Sequence, residues 1–188
     1  MPLFDQQKWD AKYAAAADVP HEPSAVLRSL DTMLPRSGRA IDVAGGAGRN
    51  AIWLAQTGLD VTLADVSPRG LALACERARE AGVGITPLCT DLEDAPFPAG
   101  PWDLILCVCY LWRPLFSIYP RVLSPGGLLV VIQPTTKNLE RHPKPPAEFL
   151  LNDGELPGLV SGLEIVHYHE GWQADGRHDA VVVARKAR

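Results

Sequence analysis

A chain of 188 residues with 47% hydrophobic and 21% charged residues is long enough to fold around a core without staples, and its composition excludes a disordered polymer. A net charge of −4 gives no basic field, so no nucleic acid and no membrane surface is expected as partner, and a small molecule is. The amino-terminal MPLFDQQKWDAKYA lacks the order of a secretory leader, the longest aliphatic run (Leu128 to Ile132) is too short to cross a bilayer, and Cys75, Cys89, Cys107 and Cys109 form no CxxC pair; a cytoplasmic protein with no metal site is expected.

In chain order, KWDAKYA places Trp9 and Tyr13 at i and i+4, on one face of a predicted helix. Short aliphatic or β-branched runs then recur at Ala40–Val43, Val61–Asp65, Ile85–Cys89, Leu104–Cys109 and Leu128–Gln133, with turn or helix signals between them, which predicts a parallel sheet flanked by helices. One helix is expected from near Gly48 to Gly58. A second is expected from Pro68, capped by Ser67 and stopped by Gly82. Leu111, Leu115, Ile118 and Val122 keep a helical stripe, broken or kinked at Pro120. Residues 134–160 read as a proline-rich loop with one short helix around Asp153–Leu159, and Leu163–His169 and Ala180–Arg185 flank QADGRHD as a hairpin. Cys107 and Cys109, two apart on a strand, are expected to point to one buried face.

The loop after the first strand carries the chemistry. GAGRNA, Gly46–Ala51, satisfies the dinucleotide pattern G-x-G-x-x-G/A, whereas a reading that starts at Asp42 gives an acid, two residues and then glycines. The two readings demand different ligands. A pyrophosphate wants the helix N-terminus free of negative charge; S-adenosylmethionine has no phosphate, and its amino group can be answered by Asp42 directly or through water. Asp65 ends the second strand, where a carboxylate can accept ribose hydroxyls, and Asp91 follows the third, where one can accept from an adenine amino group.

On DVAGGAG, LADVSP, CTDLEDAPFP, WDLILCVCYL, LSPGGLLVVIQP and the terminal hairpin, the chain resembles the class I S-adenosylmethionine-dependent methyltransferases over nearly its whole length. The resemblance implies a Rossmann-like three-layer αβα sandwich, α/β in class, with a seven-stranded mostly parallel sheet of order 3-2-1-4-5-7-6 and strand 7 antiparallel. It also implies one domain over 1–188, with a helical cap at 1–35 and the 134–160 loop near the acceptor side. The implied cofactor is S-adenosylmethionine, and the implied site is Trp9, Tyr13, Asp42, Ala44, Gly45, Gly46, Gly48, Arg49, Asn50, Asp65, Val66, Ser67, Asp91, Leu92, Cys107 and Val108. Ala44 departs from the family, where many members have a glycine.

YLWRPLF and RHPKPPAEFLLNDGEL resemble stretches of small bacterial methyltransferases of the tellurite-resistance and thiopurine type, with Trp112 where a histidine is expected. A sulfonium methyl is already activated, so no nucleophilic side chain is required. Tyr110 and Arg113 are the candidates nearest the chemistry, each with a rival structural role as wall and as helix-end ion pair. The expected reaction moves a methyl group to a small-molecule acceptor, by a monomer or homodimer. The rivals are an NAD(P)-dependent oxidoreductase built on GAGRNA and a non-catalytic S-adenosylmethionine-binding module.

Overall fold

The computed structural model describes residues 2–14 and 19–188. Among them the strands β1 (Arg39–Val43), β2 (Asp60–Asp65), β3 (Thr86–Cys89), β4 (Trp102–Val108), β5 (Leu123–Pro134), β6 (Glu164–Trp172) and β7 (His178–Arg185) form one sheet of order β3-β2-β1-β4-β5-β7-β6. The pairs β1–β2, β2–β3 and β4–β5 are parallel, and β7 runs antiparallel to both β5 and β6. This is the α/β architecture and strand order expected above. The chain divides into two compact units, Met1–Pro98 and Ala99–Arg188.

In the first unit, β1 is buried from Ala40 to Val43, which is why RAIDV reads as a continuous rather than an alternating apolar run. The helix α3 (Arg49–Gln56) starts at a left-handed Gly48 and buries Asn50, Ala51, Ile52 and Leu54; a second left-handed glycine, Gly58, follows it. A Cβ at Gly48 (φ +75) would stand 2.7 Å from the Cβ of Ala74. Gly48→Ala is therefore expected to lower stability by about 2 kcal/mol or more in urea unfolding, from strain and clash together. The helix α4 (Pro68–Glu80) has the cap read from sequence: the Ser67 hydroxyl accepts the Gly70 amide at 3.0 Å and Pro68 opens the first turn. It buries Leu71, Ala74 and Ala78, while Arg77 donates to the carbonyls of Val19 and Pro20, fastening the segment that leads into α2 (Ala25–Ser29). Ahead of these lies α1 (Pro2–Ala14), which packs on α4; of the expected 1–35 cap, Met1 and Ala15–Asp18 lie outside the described residues.

In the second unit, β7 is buried over HDAVVVA between β5 and the edge strand β6, whose Ile165, Val166 and Tyr168 are exposed. The stripe from Leu111 to Val122 is not one helix. It is a 3-10 segment, Arg113–Ser117, followed by a single turn, α5 (Tyr119–Val122), because Pro114 and Pro120 each remove an amide and each sits at the start of its own turn. Of the stripe only Leu115 is in the core; Leu111, Ile118 and Val122 are half-buried, and the buried aromatic places fall to Phe116 and Tyr119, which lie outside it. Residues 134–160 hold more structure than a loop, with 3-10 turns at Thr136–Glu140 and Ala147–Phe149 and the short α6 (Glu155–Leu159). Asn138 fastens this stretch to β7, donating to the His178 carbonyl and accepting the His178 amide. Cys107 is buried, but Cys109 does not share its face: it lies beyond β4 at φ +56, exposed, with Sγ 3.3 Å from Arg177 Nη1.

Candidate functional site

The turn after β1 is left-handed at Ala44 (φ +53), Gly46 (φ +59) and Gly48 (φ +75). Only glycine visits that region without cost, so Ala44 stores strain of about 1 kcal/mol where the resemblance has a glycine. The turn closes over Asp42. A Cβ at Gly45 would meet Asp42 Oδ2 at 2.5 Å, so the absent side chain is what lets the loop lie on the carboxylate.

Asp42 is 1% exposed and neither of its oxygens has a hydrogen-bond partner. Burial, and then the charge of Asp65, push its pKa up to about 7, while the amide of Ala51 and the charge of Arg49 pull the other way without forming a hydrogen bond of ordinary geometry. Asp65 is also buried, but each of its oxygens has a partner: Oδ2 accepts the Gly46 amide at 2.8 Å and Oδ1 accepts the Ser67 amide at 2.9 Å. Burial raises its pKa, and the amides of Ser67, Gly46 and Val66 hold it back. The strand-end acid thus organises both the glycine turn and the entry to α4.

Tyr13 comes down onto the same turn. A Cβ at Gly46 would collide with its hydroxyl, and one at Gly70 would stand 2.8 Å from its Cε2. Burial, then Asp65 and Asp42, raise the phenol well above its ordinary pKa. Trp9 stacks on Tyr13 with ring centroids 6.0 Å apart, and Lys12 Nζ lies 4.5 Å from the Trp9 ring. Asp10, which the sequence reading did not single out, accepts from Ser67 Oγ at 2.5 Å and from the Arg69 amide at 3.3 Å. The signal was present in SPRG: a helix start offers free amides that draw a carboxylate.

The structure thus gathers Trp9, Tyr13, Asp42, Ala44, Gly45, Gly46, Gly48, Asp65, Val66 and Ser67 around one turn, with Arg49 near enough to act on Asp42 and Tyr13 through its charge. Asn50 belongs to the scaffold, its Oδ1 accepting the Ser24 amide at 2.9 Å. Asp91 caps its own turn, accepting the Glu93 amide at 2.9 Å, and Leu92 is buried beside it. Cys107 and Val108 belong to the second unit, where the Cys107 thiol donates to the Tyr110 carbonyl at 3.2 Å. Arg113 is ion-paired with Glu155, at 2.5 Å and 2.9 Å, and also donates to the Leu150 carbonyl, so the helix-end role is the one it fills. Among the described residues no cluster of His, Cys, Asp or Glu is arranged to hold a metal, and no helix is long and apolar enough to cross a membrane.

Residues 40–127 match the methyltransferase domain family. The demethylmenaquinone methyltransferase of Thermus thermophilus is 34% identical over 116 residues, which is 56% of this chain and 52% of that protein. The chain spans about half the length, or less, of the curated relatives it matches. Among solved structures, TehB from Haemophilus influenzae superposes with a TM-score of 0.72 at 19% identity, covering 95% of this chain and 67% of that one. A SAM-dependent methyltransferase from Aquifex aeolicus gives 0.68 at 20% identity, covering 94% and 97%. At these identities the structures speak for the fold alone. The fold is that of the class I S-adenosylmethionine-dependent methyltransferases, and residues 40–127 are similar to the methyltransferase domain family.

Proposed function

We propose that the chain is an S-adenosylmethionine-dependent methyltransferase acting on a small-molecule acceptor, with residues 1–188 working as one domain. The observation that carries this reading is the buried, partnerless carboxylate of Asp42 under a glycine turn. Such a group needs a proton or a cation, and the cofactor's amino group supplies one, whereas a pyrophosphate would add a further negative charge beside it. Asp65 retains lone pairs beyond those its two amides use, which suits it to accept from a ribose diol. Arg49 is the cation that can answer the cofactor's carboxylate, and Asp91 stays the proposed adenine-side acceptor. When bound, the cofactor supplies an activated methyl group; the chain's part is to hold it, exclude water and align the acceptor. The name of the Thermus thermophilus relative makes quinone precursors one acceptor class to try, and small thiols and tellurite another, on the sequence resemblance.

Turnover of methyl-labelled S-adenosylmethionine against that panel tests the reading, with label appearing on an acceptor as the expected result. Binding without transfer to any member would favour the cofactor-binding module. A simpler observation concerns Cys89, exposed at the end of β3 with Sγ 3.8 Å from the carbonyl of Val66, the residue after Asp65. S-adenosylhomocysteine is expected to slow its labelling by a thiol reagent several-fold, followed peptide by peptide, while the exposed Cys109 serves for comparison.

A further inference from the structure

We propose that Cys109 is a thiol modification site, that Arg177 is the counter-ion of its thiolate, and that its co-reactants are low-molecular-weight disulfides. Every group this uses lies in the second unit, so it stands apart from the cofactor reading above. The cysteines of the chain differ in what their sulfur does. Cys107 is buried and its thiol donates to the Tyr110 carbonyl. The exposed Cys89 faces the Val66 carbonyl at 3.8 Å, and burial, then the charges of Asp65 and Asp10, push its pKa up. A sulfur that donates, or that meets carboxylates, keeps its proton. Cys109 is exposed and its sulfur accepts instead: Arg177 Nη1 donates to Sγ at 3.3 Å. Its own amide donates to the Ile132 carbonyl at 2.9 Å, which fixes it just beyond the carboxyl end of β4.

The guanidinium is itself held in place. Arg177 Nε donates to Asp175 Oδ2 at 3.0 Å, and Nη2 lies 3.2 Å from Asp179 Oδ2, which leaves Nη1 for the sulfur. Asp179 is 0% exposed and neither of its oxygens has a hydrogen-bond partner among the described residues, so this cation is what answers it. Burial raises the pKa of Asp179, while Arg177 and His178 hold it back and Asp175 adds to the rise. Asp175 is exposed and water screens it. The buried acid and the sulfur thus draw on one positive charge from its two terminal nitrogens. A surface thiolate beside a cation is the form that attacks disulfides. In that step the Cys109 thiolate attacks one sulfur of the co-reactant and the new S–S bond forms as the old one breaks. Cys109 is oxidised, and the departing half is reduced to a thiolate that takes a proton from water. Excess thiol reverses the step by the same exchange.

Glutathione disulfide is the probe, used on the full chain across a range of pH, with the modified peptides followed by mass spectrometry. In wild type Cys109 is expected to react several-fold faster than Cys89, the other exposed cysteine. Asp179→Asn removes the competing carboxylate without leaving a buried charge, and should react at or above the wild-type rate. Adding Arg177→Met to Asp179→Asn is expected to slow Cys109 about three- to tenfold and to move the pH of its half-maximal rate upward, with Cys89 unchanged. A contact that only packs the sulfur would not move that profile. Equal rates and profiles for Asp179→Asn with and without Arg177→Met overturn the proposal. Should neither variant fold, the wild-type comparison decides, and Cys109 reacting no faster than Cys89 overturns it.

Discussion

Asp65→Ala is expected to weaken S-adenosylhomocysteine binding by about 1.5–3 kcal/mol, roughly ten- to hundredfold, in isothermal titration calorimetry. Two losses combine. The charge-assisted hydrogen bonds to the ribose go, and so does the acceptor for the Gly46 and Ser67 amides that hold the glycine turn against the start of α4. The second loss also reaches stability: two buried amides without a partner cost about 1–3 kcal/mol, offset in part by removing a desolvated charge. The variant should fold, with a lower thermal midpoint. Asp65→Asn is a sharper probe, because its amide group presents donors to a backbone amide where the carboxylate accepted two. Native circular dichroism together with unchanged affinity in both variants would remove Asp65 from the site.

Asp42→Asn should separate stability from binding in opposite directions. The folded-state pKa of Asp42 is pushed to about 7, against 3.8 for an ordinary aspartate, so between these values the folded chain keeps a proton that the unfolded chain has released. Native protein binding more protons means that unfolding free energy falls as pH rises through that window and levels off above it, by several kcal/mol in all. The asparagine lacks this titration, so at pH 8 it is expected to be about 2 kcal/mol more stable than wild type in urea unfolding, with the two converging near pH 5. Binding runs the other way. The cofactor's amino group needs the ionised carboxylate, so wild-type affinity should rise with pH up to about 7 and the asparagine should lose that rise. Parallel pH profiles for the two proteins would show that Asp42 does not titrate as its burial demands.

The strands and the Ser67-Pro68 start of α4 were legible because each rests on local chemistry: β-branched runs, a hydroxyl cap, a proline whose missing amide has no role in a first turn. The Leu111–Val122 stripe was less legible, since helical spacing assumes a continuous helix: Pro114 as well as the expected Pro120 starts a separate turn, and of the four striped residues only Leu115 is buried. In the site, the glycine turn and Asp65 followed from sequence, but the plight of Asp42 did not. Nothing in AIDVAGG says that the turn will seal the carboxylate away from every donor; that depends on how Gly45 and Asp42 pack. Asn50 sits among the loop residues in sequence yet serves Ser24, twenty-six positions earlier. Asp10 and the position of Tyr13 were hidden likewise, because both depend on where α1 docks, and helical spacing in KWDAKYA gives a face without naming what it meets.

A crystal structure of the chain with S-adenosylhomocysteine tests the central claim most directly. The account predicts the amino acid end of the ligand over the Gly45–Gly46 turn with its amino group answered by Asp42, directly or through one water, and the ribose hydroxyls on Asp65. A ligand bound away from that turn, or one that leaves both Asp42 oxygens without a partner, would contradict it.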